Sequence, residues 1–275
     1  MPNPSFEDLD SCVNGLNQLQ NAIEWKTILF TPDCHNRCAR NFICSIPDNV
    51  AGLQETQNIE ENGYAGIINN YFNKADYTEV IGIKLTQKLI IGQKYYFSMF
   101  YCSGYRRPAG ITCFSNNLGI KLFSFSLDTG IIYQNIIDNT SILHEDSVLS
   151  DTLNWNEFKG DFIADSAYSF LAIGNFYSPN NTSTFCYDTL PAAFSYVYLD
   201  NICLSITENN CNVKAYDPCK NEYDAIPNPT DGILSINKIC NNAKGGDLFI
   251  YDVIGQLVGK YSHPSKTFFN LKRRS

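Results

Sequence analysis

Apolar and polar residues alternate along this chain in short runs, and Asn, Asp, Gly and Pro punctuate the runs. Period-two alternation rich in Ile, Tyr, Phe and Thr is the pattern of a strand that buries one face. It predicts strands over residues 64–72, 77–85, 94–102, 118–126, 155–164, 168–176 and 194–206. No helical period is sustained, and no apolar run reaches the roughly 18 residues of a membrane-spanning helix. This many short strands with so few helical segments predict an antiparallel β-sandwich over residues 1–206.

Residues 207–225, TENNCNVKAYDPCKNEYDA, are polar and form the expected linker. A second pattern follows over residues 226–275. Pro227 and Pro229 disfavour helix and push the residues before them to extended conformations. Asp231-Gly232 is a turn signal, because Gly tolerates positive φ. In ILSI, Ile233 and Ser235 take one face, Leu234 and Ile236 the other. Leu248, Ile250, Asp252 and Ile254 oppose Phe249, Tyr251 and Val253, and Gly255-Gln256 separates two apolar runs as a hairpin turn does.

Composition sharpens this picture. The 275 residues are 44% hydrophobic and 13% aromatic, enough for one large core and one small one. A net charge of −8 argues against nucleic acid or an anionic membrane as a partner and mildly favours cations. Eleven cysteines are many for a cytosolic protein and point to an exported chain with several disulfides. Cys102 and Cys113 flank SGYRRPAGIT and are expected to staple it. Cys211 and Cys219 are expected to close a small linker loop, and Cys12 to pair with one of Cys34, Cys38 or Cys44. CHNRC, with Cys34, His35 and Cys38 together and Cys44 nearby, offers zinc ligands in a non-standard spacing, for which disulfides are the better explanation.

Catalytic signals are sparse. The three histidines, His35, His144 and His263, belong to no H-E-x-x-H, and neither G-x-S-x-G nor a P-loop occurs. HEDS at residues 144–147 sets acid, base and hydroxyl side by side, but neighbours on a strand point to opposite faces, so a solvated loop or edge is expected. No enzyme activity is expected.

IPNPTDGILSI followed by DLFIYDVIGQLV resembles the start of the type A sorting domain that sends proteins through the type IX secretion system. The resemblance implies sorting-signal roles for Pro227, Asn228, Pro229, Asp231, Gly232, Tyr251 and Gly255. It also implies the type IX machinery as a partner and a secreted or outer-membrane surface location. In the family, further strands follow FFNL; here Lys272-Arg273-Arg274-Ser275 closes the sequence, and the opening MPNPSFED has no signal-peptide pattern. The expectation is a fragment ending in a small, incomplete β-sandwich sorting domain. Four Asp-Ser/Thr-apolar triplets look like the O-glycosylation sites of bacteria that use this route, with Thr152 and Thr189 the better candidates.

In order along residues 1–206, NPSFED, TPDCHNRC, IPDNVAGLQ, GYAGI, LAIGNF and YVYLDNICL look like a jelly-roll module of type IX-exported surface proteins. The opening and closing segments are also similar to galactose-binding-like carbohydrate-binding modules. The resemblance implies a jelly-roll β-sandwich, glycan or adhesive binding, and a structural calcium ion held by Glu7 and Asp200, with Asn3 a weaker ligand. A carboxylate at Asp200, in a strand apolar on both faces, needs a partner or a metal. Among aromatics near loops (Trp25, Trp155, Tyr105, Tyr177 and Tyr187), the tryptophans are expected in the core, and Tyr105 and Tyr177 exposed for ligand. A structural spacer and a sandwich-fold glycoside hydrolase remain the alternatives.

Overall fold

The computed structural model describes residues 1–58, 61–72, 77–126, 136–188, 192–208 and 211, together with the backbone of five strands beyond residue 222. The chain divides into two compact units, Met1–Val213 and Lys214–Ser275.

Among the described residues, the first unit carries fourteen strands. They are β1 (Trp25–Leu29), β2 (Asp33–Asn36), β3 (Asp48–Asn49), β4 (Gly52–Leu53), β5 (Gly63–Tyr71), β6 (Val80–Lys84) and β7 (Lys94–Ser103), followed by β8 (Ile111–Ser115), β9 (Leu118–Phe123), β10 (Leu143–His144), β11 (Asn156–Ile163), β12 (Phe170–Asn175), β13 (Thr184–Cys186) and β14 (Phe194–Ser205). One sheet has the order β1-β6-β12-β9-β10. The other runs β11-β7-β14-β5-β2, with β8 beside the start of β14 and β13 paired to β8. Every ladder is antiparallel except β8 with β14. This is an all-β jelly-roll sandwich: the alternation predicts the antiparallel sandwich, and the family resemblance implies the jelly roll.

Alternation also decides what lies between the sheets. Ala65 and Ile67, Phe97 and Met99, and Val197 and Leu199 from one sheet meet Ile81 and Ile83, and Leu171 and Ile173, from the other. Burying each of the larger side chains contributes about 1.5–3 kcal/mol. The intervening residues of the larger sheet, Tyr64, Cys102, Tyr196 and Tyr198, form a second layer on its outer face. Ile46 and Ala51 close over that layer beside the short β3–β4 hairpin. Gly66 exists for this layer: a Cβ there would overlap the Tyr196 ring and hydroxyl.

Among the described residues, three disulfides join Cys12 to Cys38, Cys113 to Cys186 and Cys203 to Cys211. Two expected bridges are therefore corrected. Cys102 does not reach Cys113, because it points into the tyrosine layer, where its thiol donates to Gln54 Oε1 at 3.0 Å. Cys113 faces Cys186 directly across the β8–β13 ladder. Cys211 joins Cys203 rather than Cys219, since its carbonyl, taking a bond from Ser98 Oγ at 2.9 Å, fixes it beside β7. The zinc set also falls apart: Cys38 is oxidised with Cys12, and Cys34 and His35 point to opposite faces of β2. Three disulfides place the folded chain in an oxidising, extracytoplasmic setting.

The second unit contains β15 (Tyr223–Ile226), β16 (Ile233–Lys238), β17 (Asp247–Tyr251), β18 (Leu257–Ser262) and β19 (Phe268–Asn270). β15-β16-β19 form one antiparallel sheet and β17-β18 another. β17 and β18 pair antiparallel with Tyr251 opposite Leu257, and the expected Gly255-Gln256 turn lies outside the described residues. Pro227, Asn228, Pro229, Asp231, Gly232 and Gly255 lie outside the described residues, and Tyr251 ends β17.

Candidate functional site

The most exposed aromatic cluster of the first unit is built on β8 and β13. Register sets Phe114 opposite Phe185 and Cys113 opposite Cys186, and the disulfide locks the pair. Side chains alternate along a strand, so Cys186 points inward while Phe185 and Tyr187 share the outward face of Phe114. Beyond β13, Tyr187 N donates to Thr112 O at 3.0 Å and Thr112 Oγ1 donates to Asp188 O at 3.0 Å, so the loop continues as a tethered extension of the strand. Tyr105 arrives from the end of β7. Gly104 N donates to Tyr196 O at 2.9 Å and Arg106 N to Ile111 O at 3.0 Å, fixing the backbone on both sides of it.

These tethers set the ring geometry. Phe114 is buried, and Tyr105 lies nearly parallel to it, 13° between planes and 6.4 Å between centroids. Tyr187 stands at 84° to Tyr105 and 89° to Phe114, with centroids 5.8 and 5.7 Å away. Phe185 packs edge-on against Tyr187 at 5.1 Å. Tyr105, Phe185 and Tyr187 are 42%, 51% and 67% exposed, an unusual concentration of solvent-facing aromatic surface. A recess of about 450 Å³ opens here, lined by Tyr105, Phe114, Tyr187, Ser150, Thr152 and the Arg107–Asp188 pair, in which Arg107 Nε donates to Asp188 Oδ2 at 2.5 Å. Aromatic faces rimmed by a few convergent polar groups are the usual make-up of a ligand site. Thr152 is half-buried in this recess, and Thr189 lies outside the described residues.

Tyr105 is thus in the recess, whereas Tyr177 is elsewhere. Tyr177 is half-buried, lies 4.9 Å from the His144 ring, and shares hydrogen bonds at 3.2 Å with His144 Nδ1 and Ser141 Oγ. Ser141 Oγ and Asp146 Oδ1 meet opposite nitrogens of His144, each at 2.9 Å, on the edge strand β10. Asp146 is almost wholly in solvent, so this relay braces a sheet edge, as expected for HEDS. Trp25 is buried against Phe6, and Trp155 packs on Tyr64 and donates to Glu55 O at 2.8 Å. The sequence reading missed Phe185 as a partner of Tyr187; the signal was the alternation in Phe185-Cys186-Tyr187.

Glu7 and Asp200 fall near one another with a third carboxylate, Glu61. Glu7 accepts from Asn62 N at 2.8 Å, Gly63 N at 2.9 Å and Asn62 Nδ2 at 3.0 Å. Glu61 accepts from Asn201 Nδ2 at 3.1 Å through both oxygens. Asp200 is fully buried; Oδ1 accepts from Asn201 N at 2.7 Å, no protein N–H or hydroxyl among the described residues reaches Oδ2, and the carboxyl pairs with that of Glu61. Burial, then the neighbouring Glu61 and Glu7 charges, hold the Asp200 carboxyl well above the usual carboxylate range. Burial likewise raises Glu61. Among the described residues no group of three or more His, Cys, Asp or Glu is already spaced as a metal centre. The donor set is nonetheless all oxygen, with one buried carboxylate atom that no N–H or hydroxyl reaches, which is what a hard cation takes. Asn3 is committed elsewhere: its amide donates to Asp8 O at 2.9 Å and Ile23 O at 3.0 Å and accepts from Asp8 N at 3.1 Å.

A last polar assembly is buried on the outer face of the larger sheet. Tyr196 Oη donates to Asp33 Oδ2 at 2.7 Å, so His35 Nε2, 2.9 Å from Tyr196 Oη, donates to that hydroxyl. Burial drives His35 down to about 3 and Asp33 up to about 6. Glu79, accepting from Ile68 N at 2.8 Å and Thr31 Oγ1 at 3.0 Å, is pushed up to about 8 by burial and then by the Asp33 charge.

No protein-family model matches the chain, and no curated protein does. Among solved structures, the chain is similar to the CBM22-1–GH10 modules of the Clostridium thermocellum endo-1,4-β-D-xylanase 10B, complexed with xylohexaose, at 10% identity over 68% of this chain and TM-score 0.35. It spans only 26% of that xylanase chain. It is similar to a putative sugar binding protein from Bacteroides thetaiotaomicron at 10% identity, 72% of this chain, 94% of that one and TM-score 0.35. It is also similar to the K1 cleaved adhesin domain of Lys-gingipain from Porphyromonas gingivalis W83 at 15% identity, 73% of this chain, 95% of that one and TM-score 0.33.

Proposed function

We propose that the first unit is an extracellular, non-catalytic module that binds glycan at the recess formed by Tyr105 and Tyr187. The observation that carries this reading is the tethered corner of exposed rings with a polar rim. The C–H face of a sugar ring lies well on an aromatic face, and its hydroxyls exchange hydrogen bonds with groups such as Arg107, Asp188, Ser150 and Thr152. The test is retention on a glycan array and on insoluble polysaccharides, for the wild type and a Tyr105→Ala/Tyr187→Ala variant of unchanged melting temperature. Retention of the wild type and its loss in the variant is the expected result; no retention, or equal retention by both, sinks the reading.

Calcium belongs to the same proposal as a structural element. Glu7, Glu61 and Asp200 are the residues that would hold it, and the ion would supply positive charge to a buried carboxylate that otherwise keeps a proton. Calcium is expected to raise the melting temperature, with a chelator reversing the gain. Asp200→Asn should abolish that response while leaving the chelated protein folded. An unchanged melting temperature in the wild type counts against the site.

Delivery through the type IX route is proposed for the second unit on the strength of its motif. A host that possesses that route should export the full chain and retain one lacking residues 226–275. Equal export of both would remove the sorting role.

A further inference from the structure

Resting on the glycan-binding reading of the recess, we infer that it recognises the terminal unit of a glycan rather than an internal stretch of chain. Three observations point to chain ends. First, the two best-exposed tyrosines among the described residues are not coplanar: Tyr187 stands at 84° to Tyr105 with centroids only 5.8 Å apart. An extended polysaccharide running across a surface needs faces that follow its axis. Perpendicular faces this close make a corner, and a corner takes one ring against its floor and stops the chain at its wall.

Second, the recess is small, about 450 Å³, toward the lower part of the roughly 300–1,000 Å³ range of small-molecule sites. Its polar groups are gathered with the rings, and the Arg107–Asp188 pair presents a guanidinium donor beside a carboxylate acceptor. Two adjacent ring hydroxyls can each accept from the first and donate to the second, which favours a terminal unit with a free vicinal diol.

Third, the open face that a long chain could follow is closed. The outer face of the larger sheet carries Tyr64, Tyr196 and Tyr198, but all three are buried beneath Ile46, Ala51 and their neighbours. Tyr64 and Tyr198 spend their hydroxyls internally, on Gln54 O at 2.7 Å and Asn49 Oδ1 at 2.8 Å. The aromatic row on that sheet is therefore core, and the exposed rings lie at its edge.

The experiment is calorimetric titration of the intact chain with D-glucose, D-galactose, D-mannose and D-xylose and with their β-1,4-linked oligomers of two to six units. For whichever series binds, the expected result is a dissociation constant that changes less than about threefold from the dimer to the hexamer. Enzymatic or chemical capping of the terminal diol of the hexamer should weaken binding at least about tenfold. A hexamer binding more than about tenfold tighter than the dimer, or capping without effect, overturns terminal recognition while leaving glycan binding intact. Failure of the array and of every series overturns the glycan reading and this inference together.

Discussion

The disulfide between Cys113 and Cys186 should be the main covalent support of both the first unit and its recess. It closes 73 residues, against 26 for Cys12–Cys38 and 8 for Cys203–Cys211. Loop-closure entropy then assigns about 4.4 kcal/mol to the first, about 3.5 to the second and about 2.5 to the third. The informative comparison is Cys113→Ala/Cys186→Ala with Cys203→Ala/Cys211→Ala, because each removes one buried and one half-buried sulfur and the cavity costs largely cancel. The expected difference in unfolding free energy is about 2 kcal/mol, or roughly 1 M in urea midpoint for a slope near 2 kcal/mol/M. Both tryptophans of the chain, Trp25 and Trp155, lie in the first unit, so urea titration followed by tryptophan fluorescence reads that unit's unfolding. A Cys113/Cys186 double variant that unfolds at the same urea concentration as the other, or later, refutes the reasoning. Among the described residues β13 pairs only with β8, so the same variant should also weaken any ligand that depends on Phe185 and Tyr187.

Further expectations concern the buried polar layer. His35 sits near 3 in the folded chain against 6.5 when free, so the unfolded state binds the extra proton first and the stability it allows is lost as pH falls from 6.5 toward 3. The stability difference between wild type and His35→Gln, measured by urea unfolding across that window, should shrink toward acid; a difference independent of pH would contradict the buried neutral imidazole. Glu79 runs the other way: held near 8 against 4.5, it keeps its proton in the folded state, so stability falls as pH rises from 4.5 to 8. Glu79→Gln should gain on the wild type over that range, and a flat difference would show that Glu79 is not protonated. Gly66→Ala drives a methyl into Tyr196 and should cost about 1–3 kcal/mol in thermal or urea unfolding; a neutral variant would mean the tyrosine layer yields freely.

The longer strands that bury apolar residues were legible from period-two alternation, whereas the five-residue β1 and β8, which also bury apolar residues, were not among the predicted runs. β5, β7, β11, β12 and β14 lie within a residue or two of the predicted runs. β2 was not, because Asp33-Cys34-His35-Asn36 reads as polar; its side chains are buried only because a histidine, a tyrosine and a carboxylate satisfy one another across strands distant in sequence. The same separation hid the cysteine pairing. Nearness along the chain favoured Cys102 with Cys113, while the true partner, Cys186, is fixed by a ladder that only the folded register creates. At the recess, Tyr105 was legible from its place in a Gly- and Pro-rich loop. Its perpendicular partner, Tyr187, was named among the loop aromatics but passed over for Tyr177, since it gains meaning only when β13 lies beside β8. Glu7 and Asp200 were readable as a pair, but Glu61 was not: its role comes from a loop that folds back to Asn201.

Strand β14 also determines how the recess is displayed. Its first residues, Phe194 and Ser195, lie beside β8, while near its far end Ile202 N donates to Pro4 O at 2.9 Å. The chain therefore enters the sandwich and leaves it at one pole, and the ring corner stands at the other, about 26 Å away at the rise of an extended strand. On the glycan-binding reading proposed above, many copies held on one surface would add weak single contacts into firm, reversible attachment without any change in the individual site.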